Sequence, residues 1–130
     1  MEESRMYFFV MRQLNGLNKG IQAGHAAVEY SLKYGRKNVY QHFAKHHKTF
    51  ILLDGGGSQD MLARMAELEH FGVEYAPFYE PDLNNSLSAI AFIVPASIYG
   101  MKIETMSDLL FVTRDEEYAC YLKSFRLASN

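Results

Sequence analysis

Unbroken runs of apolar residues predict the β-strands of this chain. The first run, from Tyr7 to Met11, favours a strand buried on both faces in the centre of a sheet. Comparable runs give the remaining predicted strands, and the set is Met6–Arg12, Thr49–Leu53, Val73–Tyr79 and Ser88–Val94. Pro77 cannot donate a ladder hydrogen bond, so the third strand is predicted to be an edge strand or to end early.

Helical spacing predicts the segments between and after these strands. The predicted helices are Lys19–Tyr34, Asn38–His46, Ser58–Phe71 and a last helix that begins at the capping-box pattern Thr113-Arg114-Asp115-Glu116. Ser58 is a candidate cap for the third helix, and Gly72 is placed to end it. In the last helix, four apolar or aromatic residues are expected to pack on the body of the protein: Tyr118, Tyr121, Leu122 and Phe125.

One face of the first predicted helix carries Ile21, Val28 and Leu32, and this face is expected to be buried. Neighbouring alanines and Gly24 are small enough to let the helix approach the sheet closely. His25 falls on the same face. Its plain interpretation is therefore a hydrogen-bonded histidine of the core.

The order of elements, β-α-α-β-α-β-β-α, predicts the fold class. We expect an α/β protein with a mixed four-stranded sheet, helices on both faces and an added C-terminal helix. A length of 130 residues fits a single domain, and 48% hydrophobic residues supply a core.

Composition predicts the cellular compartment in which the chain works. No apolar run approaches the length that spans a bilayer, so no membrane partner is expected. The start of the chain is acidic and lacks the basic region of a signal peptide. Cys120 is the single cysteine, which excludes an internal disulfide and favours a reducing compartment, most simply the cytoplasm.

Charge is unevenly distributed along the chain. The formal net charge is −2, but the segment 31–53 has five basic residues and no acidic ones, while the rest has 8 basic against 15 acidic residues. Lys33, Arg36 and Lys37 lie in this segment beside Tyr34 and Tyr40. Basic residues interleaved with aromatics suit the backbone and bases of a nucleic acid. The alternative is a solvated helix face followed by a connector.

The string from Asn18 to Ala27 carries the strongest chemical signal. It follows the first predicted strand and opens the first predicted helix, and the free N–H groups at a helix start attract anions. Lys19, Gln22 and His25 add an ammonium, an amide and an imidazole. The string therefore predicts a site for anion binding and polar chemistry, although Lys19 and Gln22 have the simpler interpretation of solvated side chains.

Other motifs give weaker signals. The loop Asp54-Gly55-Gly56-Gly57-Ser58 precedes a helix but lacks the ending of a nucleotide-binding loop, so a turn is the better interpretation. His42 and His46 have the spacing of a metal pair without an evident third ligand, and no metal or cofactor is predicted. Cys120 is interpreted as a buried thiol.

The chain resembles the peptidyl-tRNA hydrolase II family over roughly residues 6–95. That family has an apolar strand ending in Arg, a Gly/Lys-rich turn, and a helix containing Gln-Cys-small-His-Ala. The corresponding residues are Phe8 to Arg12, Asn18 to Gly20, and Gln22 to Ala26. Its later strands and helix correspond to Lys48–Leu52, Ser58–Phe71, Val73–Tyr79 and Ile90–Pro95. Residues 96–130 are an extension beyond the family's usual end.

The resemblance implies hydrolysis of the ester between a peptide and tRNA, with tRNA as a partner and a homodimer as the assembly. Lys19 and His25 are the implied catalytic residues, together with a carboxylate from Glu80 or Asp82. The family's Asp-Ala-Gly-x-Thr-Gln loop is replaced by the segment 79–86, in which Asn84 or Ser86 supplies a polar partner. The residues expected to bind substrate are Gln22, Gly20, Asn84, Ser86, Lys33, Arg36 and Lys37.

Two other functions remain open at the level of sequence. The rewritten loop is compatible with a degenerate member that binds RNA or another protein without catalysis. It is also compatible with a small-molecule hydrolase or nucleotide binder that uses the same pocket.

Overall fold

The predicted strands and helices occur in the predicted order, and one short helix that the sequence did not predict follows the last strand. The computed structural model describes residues 1–102 and 113–130. The strands are β1 (Ser4–Val10), β2 (Phe50–Asp54), β3 (Tyr75–Glu80) and β4 (Ser86–Pro95). The helices are α1 (Gly16–Tyr34), α2 (Asn38–His46), α3 (Ser58–His70), α4 (Ala96–Tyr99) and α5 (Arg114–Lys123). Residues 103–112 of the predicted extension lie outside the described residues.

The strands form one mixed sheet in the order β2-β1-β4-β3. β1 runs parallel to β2 and antiparallel to β4, and β4 runs antiparallel to β3. The predicted mixed four-stranded sheet is confirmed. β3 is an edge strand, as predicted from Pro77. A residue without an N–H is tolerated there because one side of an edge strand is unpaired.

Helices cover both faces of the sheet, as predicted. Phe8 and Phe9 are both fully buried, but they point to opposite faces because side chains alternate along a strand. Phe8 packs with residues of α1 and α2, including Ala26, Tyr30 and Phe43. Phe9 packs with residues of α3 and α5, including Met61, Leu68, Tyr118 and Leu122.

α1 turns a different face to the sheet from the one predicted. Leu17, Ile21, Val28 and Leu32 are exposed at 77%, 44%, 59% and 76%. The buried residues are instead Lys19, Gln22, Ala23, Ala26 and Tyr30. The small Ala23 and Ala26 lie against Ala76, Ala89 and Ala91 of the sheet, and small side chains on both surfaces allow close packing that larger aliphatics would prevent.

The ends of two helices also differ from prediction. α1 begins at Gly16 rather than Lys19, and the Asn15 side chain accepts a hydrogen bond from the Asn18 N–H at 2.8 Å. α3 begins at Ser58, but Gly57 is its N-cap, and Asp60 accepts from the Gly57 N–H at 2.9 Å. In both cases a side-chain acceptor satisfies a free N–H of the helix start.

The C-terminal part of the described chain packs as expected. Thr113 caps α5 by accepting from the Glu116 N–H at 3.1 Å. Tyr118 and Leu122 are buried, and Tyr121 and Phe125 pack edge-on against Phe9. Cys120 lies on the opposite side of the helix and is exposed, so the prediction of a buried thiol is wrong. Within the described ranges, no helix is both long and apolar enough to cross a membrane.

Candidate functional site

The structure brings three of the predicted site residues, Lys19, Gln22 and Glu80, to one edge of the sheet. The carboxyl ends of β1, β2 and β3 meet there with the start of β4, because β4 runs antiparallel to β1 and β3. α1 packs along β3 and β4, and its first turns bring Lys19 and Gln22 to this edge. In open α/β sheets, ligands bind at such an edge.

Gln22 links two strands through its side-chain amide. Its Nε2 donates to Glu80 Oε1 at 3.0 Å, and its Oε1 accepts from the Ser88 hydroxyl at 2.5 Å. Ser88 is completely buried, and Gln22 is buried as well. The interpretation of Gln22 as a solvated side chain is therefore wrong, and its amide instead fixes the position of the Glu80 carboxylate at the end of β3.

Lys19 is buried despite its charge, with 6% of its surface exposed. Its ammonium donates to the main-chain carbonyl of Ser129 and lies close enough to Asp54 to lower the pKa of that carboxyl group. Buried lysines are normally compensated by hydrogen bonds or opposite charge, and both are present here. The alternative of a solvated lysine in a turn is wrong.

Asp54 connects Lys19 to Arg12 at the ends of β1 and β2. The Arg12 guanidinium donates to Asp54 Oδ2 at 2.9 Å, and the Gly56 N–H donates to Asp54 Oδ1 at 2.9 Å. Burial raises the pKa of Asp54, but the Gly56 hydrogen bond and the Arg12 and Lys19 charges together hold it below its ordinary value. The site therefore contains a carboxylate that stays ionised.

His25 lies on the exposed side of α1, next to Phe78, and not in the core. Its ring is exposed and packs against Phe78 of β3 with centroids 4.7 Å apart. The interpretation of His25 as a buried core histidine is wrong, because α1 is rotated relative to the predicted stripe. The exposed imidazole is available to a ligand that approaches the edge of the sheet.

Several predicted site residues, including the catalytic candidate Asp82, lie apart from Lys19, Gln22 and Asp54. Gly20 faces open space, and Asp82 is exposed in a 3₁₀ turn formed by Pro81–Leu83. Asn84 is exposed in a left-handed conformation, and the Ser86 hydroxyl donates to the Leu83 carbonyl at 2.6 Å. In the described part of the chain, Glu80 is the loop carboxylate that reaches α1, and its partner is Gln22 rather than Lys19 or His25.

The predicted basic residues lie at the other end of α1. Lys33 is ~21 Å from Lys19 along the helix axis, given a rise of 1.5 Å per residue. Lys33 donates to the Tyr75 carbonyl at 3.4 Å, Lys37 pairs with Glu74, and Arg36 is exposed. Tyr34 and Tyr40 both pack against Tyr30, so the aromatic faces are partly used within the protein.

The weaker motifs have structural roles. In the glycine loop, the Gly55 N–H donates to the Val10 carbonyl at 2.9 Å, and the Gly56 and Gly57 amides donate to Asp54 and Asp60. These amides are therefore not free to hold a phosphate.

A histidine group forms at the end of α2. His42 Nε2 lies 3.1 Å from His47 Nε2, and the His42 and His46 ring centroids are 4.9 Å apart. Burial and the nearby His46 and His47 lower the pKa of His42. No group of three His, Cys, Asp or Glu side chains among residues 1–102 and 113–130 is arranged to hold a metal ion.

Sequence reasoning missed Arg12, Asp54, Ser88 and the Ser129 carbonyl. The first two had a usable signal, because a charged residue ends the first predicted strand and another follows the second, and the carboxyl ends of neighbouring parallel strands meet at one edge of a sheet. Ser88 had none, since its hydroxyl matters only because Gln22 is packed against it. The approach of Ser129 to Lys19 joins positions 110 residues apart.

Comparison with known proteins assigns no family: no family model matches the chain, and neither does any curated protein.

Proposed function

We propose that this protein is a hydrolase that cleaves the ester between a peptide and tRNA. The observation that carries the proposal is the buried Lys19 ammonium, which already donates a hydrogen bond to a carbonyl oxygen, that of Ser129. A cation held in this way stabilises the oxyanion that forms when water attacks an ester carbonyl. The residue-level resemblance between Gln22 to Ala26 and the peptidyl-tRNA hydrolase II family supports the same chemistry.

Glu80 is the proposed general base. Its carboxylate is half-buried at the end of β3 and is oriented by Gln22, which is in turn held by Ser88. Glu80 takes a proton from water as the water oxygen adds to the carbonyl carbon. The bond to the tRNA 3′ oxygen then breaks, and Glu80 returns the proton to that leaving oxygen.

The tRNA partner is proposed to lie along α1. The site is at the start of the helix, and Lys33, Arg36 and Lys37 are near its end, so a phosphate backbone can contact both regions at once.

The proposal is tested with N-acetyl-aminoacyl-tRNA as substrate. We expect Lys19→Met and Glu80→Gln to lower kcat/KM by about 10²–10³-fold, the usual effect of losing an oxyanion donor or a general base. Asp82→Asn is the matched control because Asp82 is exposed, and it should stay within about twofold of the wild-type protein. Absence of hydrolysis by the wild-type protein would reject the proposal.

The second candidate is a binding module without turnover. Two contacts favour it. The Glu80 carboxylate accepts a hydrogen bond from Gln22, and the Lys19 ammonium donates to the Ser129 carbonyl, so both proposed catalytic groups already have partners within the protein. This candidate predicts tRNA binding that weakens as salt is raised, with no release of the amino acid under the same assay.

We also propose that two copies of the chain associate through α1. The exposed Leu17, Ile21, Val28 and Leu32 form a stripe opposite the buried face, and the open positions Gly20 and Gly24 allow close approach. Leu17 and Leu32 are equally far from the centre of the stripe at positions 24 and 25, and so are Ile21 and Val28. Such a pattern is self-complementary about a two-fold axis.

A further inference from the structure

Residues 126–130 form a backbone-paired segment along the edge of β2. Asp54 N–H donates to the Arg126 carbonyl at 2.9 Å, and the Ala128 N–H donates to the Leu52 carbonyl at 2.8 Å. Leu53 and Leu127 form the antiparallel bridge between these bonds. The segment thus extends the sheet beyond β2, as an added peptide strand does when it binds to an open sheet edge.

Apart from the small Ala128, which packs against the core cluster of Phe8, side chains contribute little to holding this segment. Leu127 is the largest apolar side chain in it and is 68% exposed, and Arg126, Ser129 and Asn130 are exposed as well. Main-chain hydrogen bonds are the same for almost any sequence. The edge of β2 can therefore accept an extended peptide of different composition in place of residues 126–130.

The far end of the segment reaches the candidate site. The Ser129 carbonyl accepts from the Lys19 ammonium, and Asn130 lies so close to the first residue of α1 that a Cβ at Gly16 would collide with its Oδ1 atom. A main-chain carbonyl therefore occupies the position in which the proposed mechanism requires the carbonyl of the scissile ester.

We propose that the edge of β2 is a binding site for an extended peptide, and that residues 126–130 occupy it as an internal substitute. The bound peptide pairs with residues 52–54 through its main chain and presents its last carbonyl to Lys19. For the proposed hydrolase this is the site of the peptide part of the substrate, so the inference rests on that function for its biological ligand. Peptide binding itself can be measured without any hydrolysis.

The test releases the segment in the full chain. Ala128→Pro removes the N–H that donates to Leu52. Leu127→Ala is the matched control, because it trims an exposed side chain and leaves both main-chain bonds intact. The probe is a fluorescent, N-acetylated and C-amidated pentapeptide with the sequence of residues 126–130, and binding is followed by anisotropy.

We expect the Ala128→Pro protein to bind the probe at least about tenfold more tightly than the wild-type or Leu127→Ala protein, because the competing segment is displaced. A penta-alanine probe should compete for the same site, since the main chain supplies the contacts. Adding Lys19→Met to the Ala128→Pro protein should weaken binding of the probe. Equal binding by all variants, or binding by none, would overturn the inference.

Two measurements guard against misfolding of the proline variant. A chain shortened after Phe125, which lacks the whole segment, should bind the probe at least as tightly as the Ala128→Pro protein does. In the wild-type protein, the Ala128 amide should exchange hydrogen faster than the core amide of Phe9, through local release of the segment. Exchange of both amides only on global unfolding would show that the segment is fixed and would contradict the inference.

The outcomes separate this inference from the proposed function. Probe binding without ester hydrolysis by any variant would support the peptide site and reject the hydrolase. Hydrolysis at the same rate by wild-type and Ala128→Pro proteins, with no probe binding, would support the hydrolase and reject the peptide site.

Discussion

At the scale of single residues, the structure reverses the simple expectations for α1. Lys19 and Gln22 belong to types that are usually solvated, yet both are buried and hydrogen-bonded. His25 was expected on the buried face and is exposed. A single-residue expectation depends on which side of the helix meets the sheet, and here the buried side lies about half a turn from the predicted one.

Asp54 is expected to make the stability of the folded protein depend on pH in the acidic range. Its pKa is 3.8 in the unfolded chain and lower in the folded protein, so the folded state prefers the ionised form. The stabilisation is present above pH 3.8 and is lost as the pH falls through that value towards the folded pKa. Asp54→Asn should therefore lose less stability than the wild-type protein when the pH is lowered from neutral into this range.

Urea unfolding at a series of pH values measures this difference. Asp82→Asn serves as the control because Asp82 is exposed, and its stability should follow that of the wild-type protein. Parallel curves for Asp54→Asn and the wild-type protein would show that the Gly56 hydrogen bond and the Arg12 and Lys19 charges do not favour the ionised carboxylate in solution.

At the scale of elements, α1 is apolar on two opposite sides. One side packs small residues against β3 and β4, and the other presents the Leu17–Leu32 stripe to solvent. The sequence pattern detected the more hydrophobic stripe and predicted its burial. The prediction that this stripe packs on the sheet is wrong, and large aliphatics left exposed in a row are the basis of the association proposed above.

Val28→Asp tests association through this stripe. A charge within the stripe would be buried without a partner in the proposed dimer, so we expect that association to weaken by more than about tenfold, or about 1.4 kcal/mol. α1 is ~28 Å long, which makes the interface small and the dimer concentration-dependent. Sedimentation velocity over a wide concentration range measures it.

Gln59→Asp is the control for this experiment. It places the same charge at an exposed position of α3, on the other face of the sheet, and it should leave the dimer intact. A wild-type protein that stays monomeric at every concentration would exclude the proposed contact.

At the scale of the whole molecule, the extension beyond residue 95 completes the core. Tyr118 and Leu122 of α5 lie in the same hydrophobic cluster as Phe9 and Met61. The capping pattern at Thr113 and the apolar spacing after it were enough to predict this helix and its packing. The path of residues 126–130 from α5 to Lys19 was not predictable, because no local pattern specifies a contact with α1.

Leu122→Ala measures how much the extension supports the fold. Removing this buried side chain should lower the free energy of unfolding by about 2–5 kcal/mol, since a cavity is left between α5 and the sheet. Equilibrium urea unfolding gives the value. Cys120→Ser lies on the exposed side of the same helix and should change stability by less than about 0.5 kcal/mol. Equal effects of the two substitutions would mean that α5 does not pack on the core in solution.

The sequence by itself determined the elements, their order and the mixed sheet, because apolar runs, Pro77 and the cap at Thr113 act locally. It also identified Lys19, Gln22 and Glu80 as chemical candidates. Only the tertiary structure decided that Gln22 orients Glu80, that Asp54 lies close to Lys19, and that the Ser129 carbonyl meets the Lys19 ammonium. These contacts join residues far apart in the chain, so they depend on how α1 rotates against the sheet and where the last residues run.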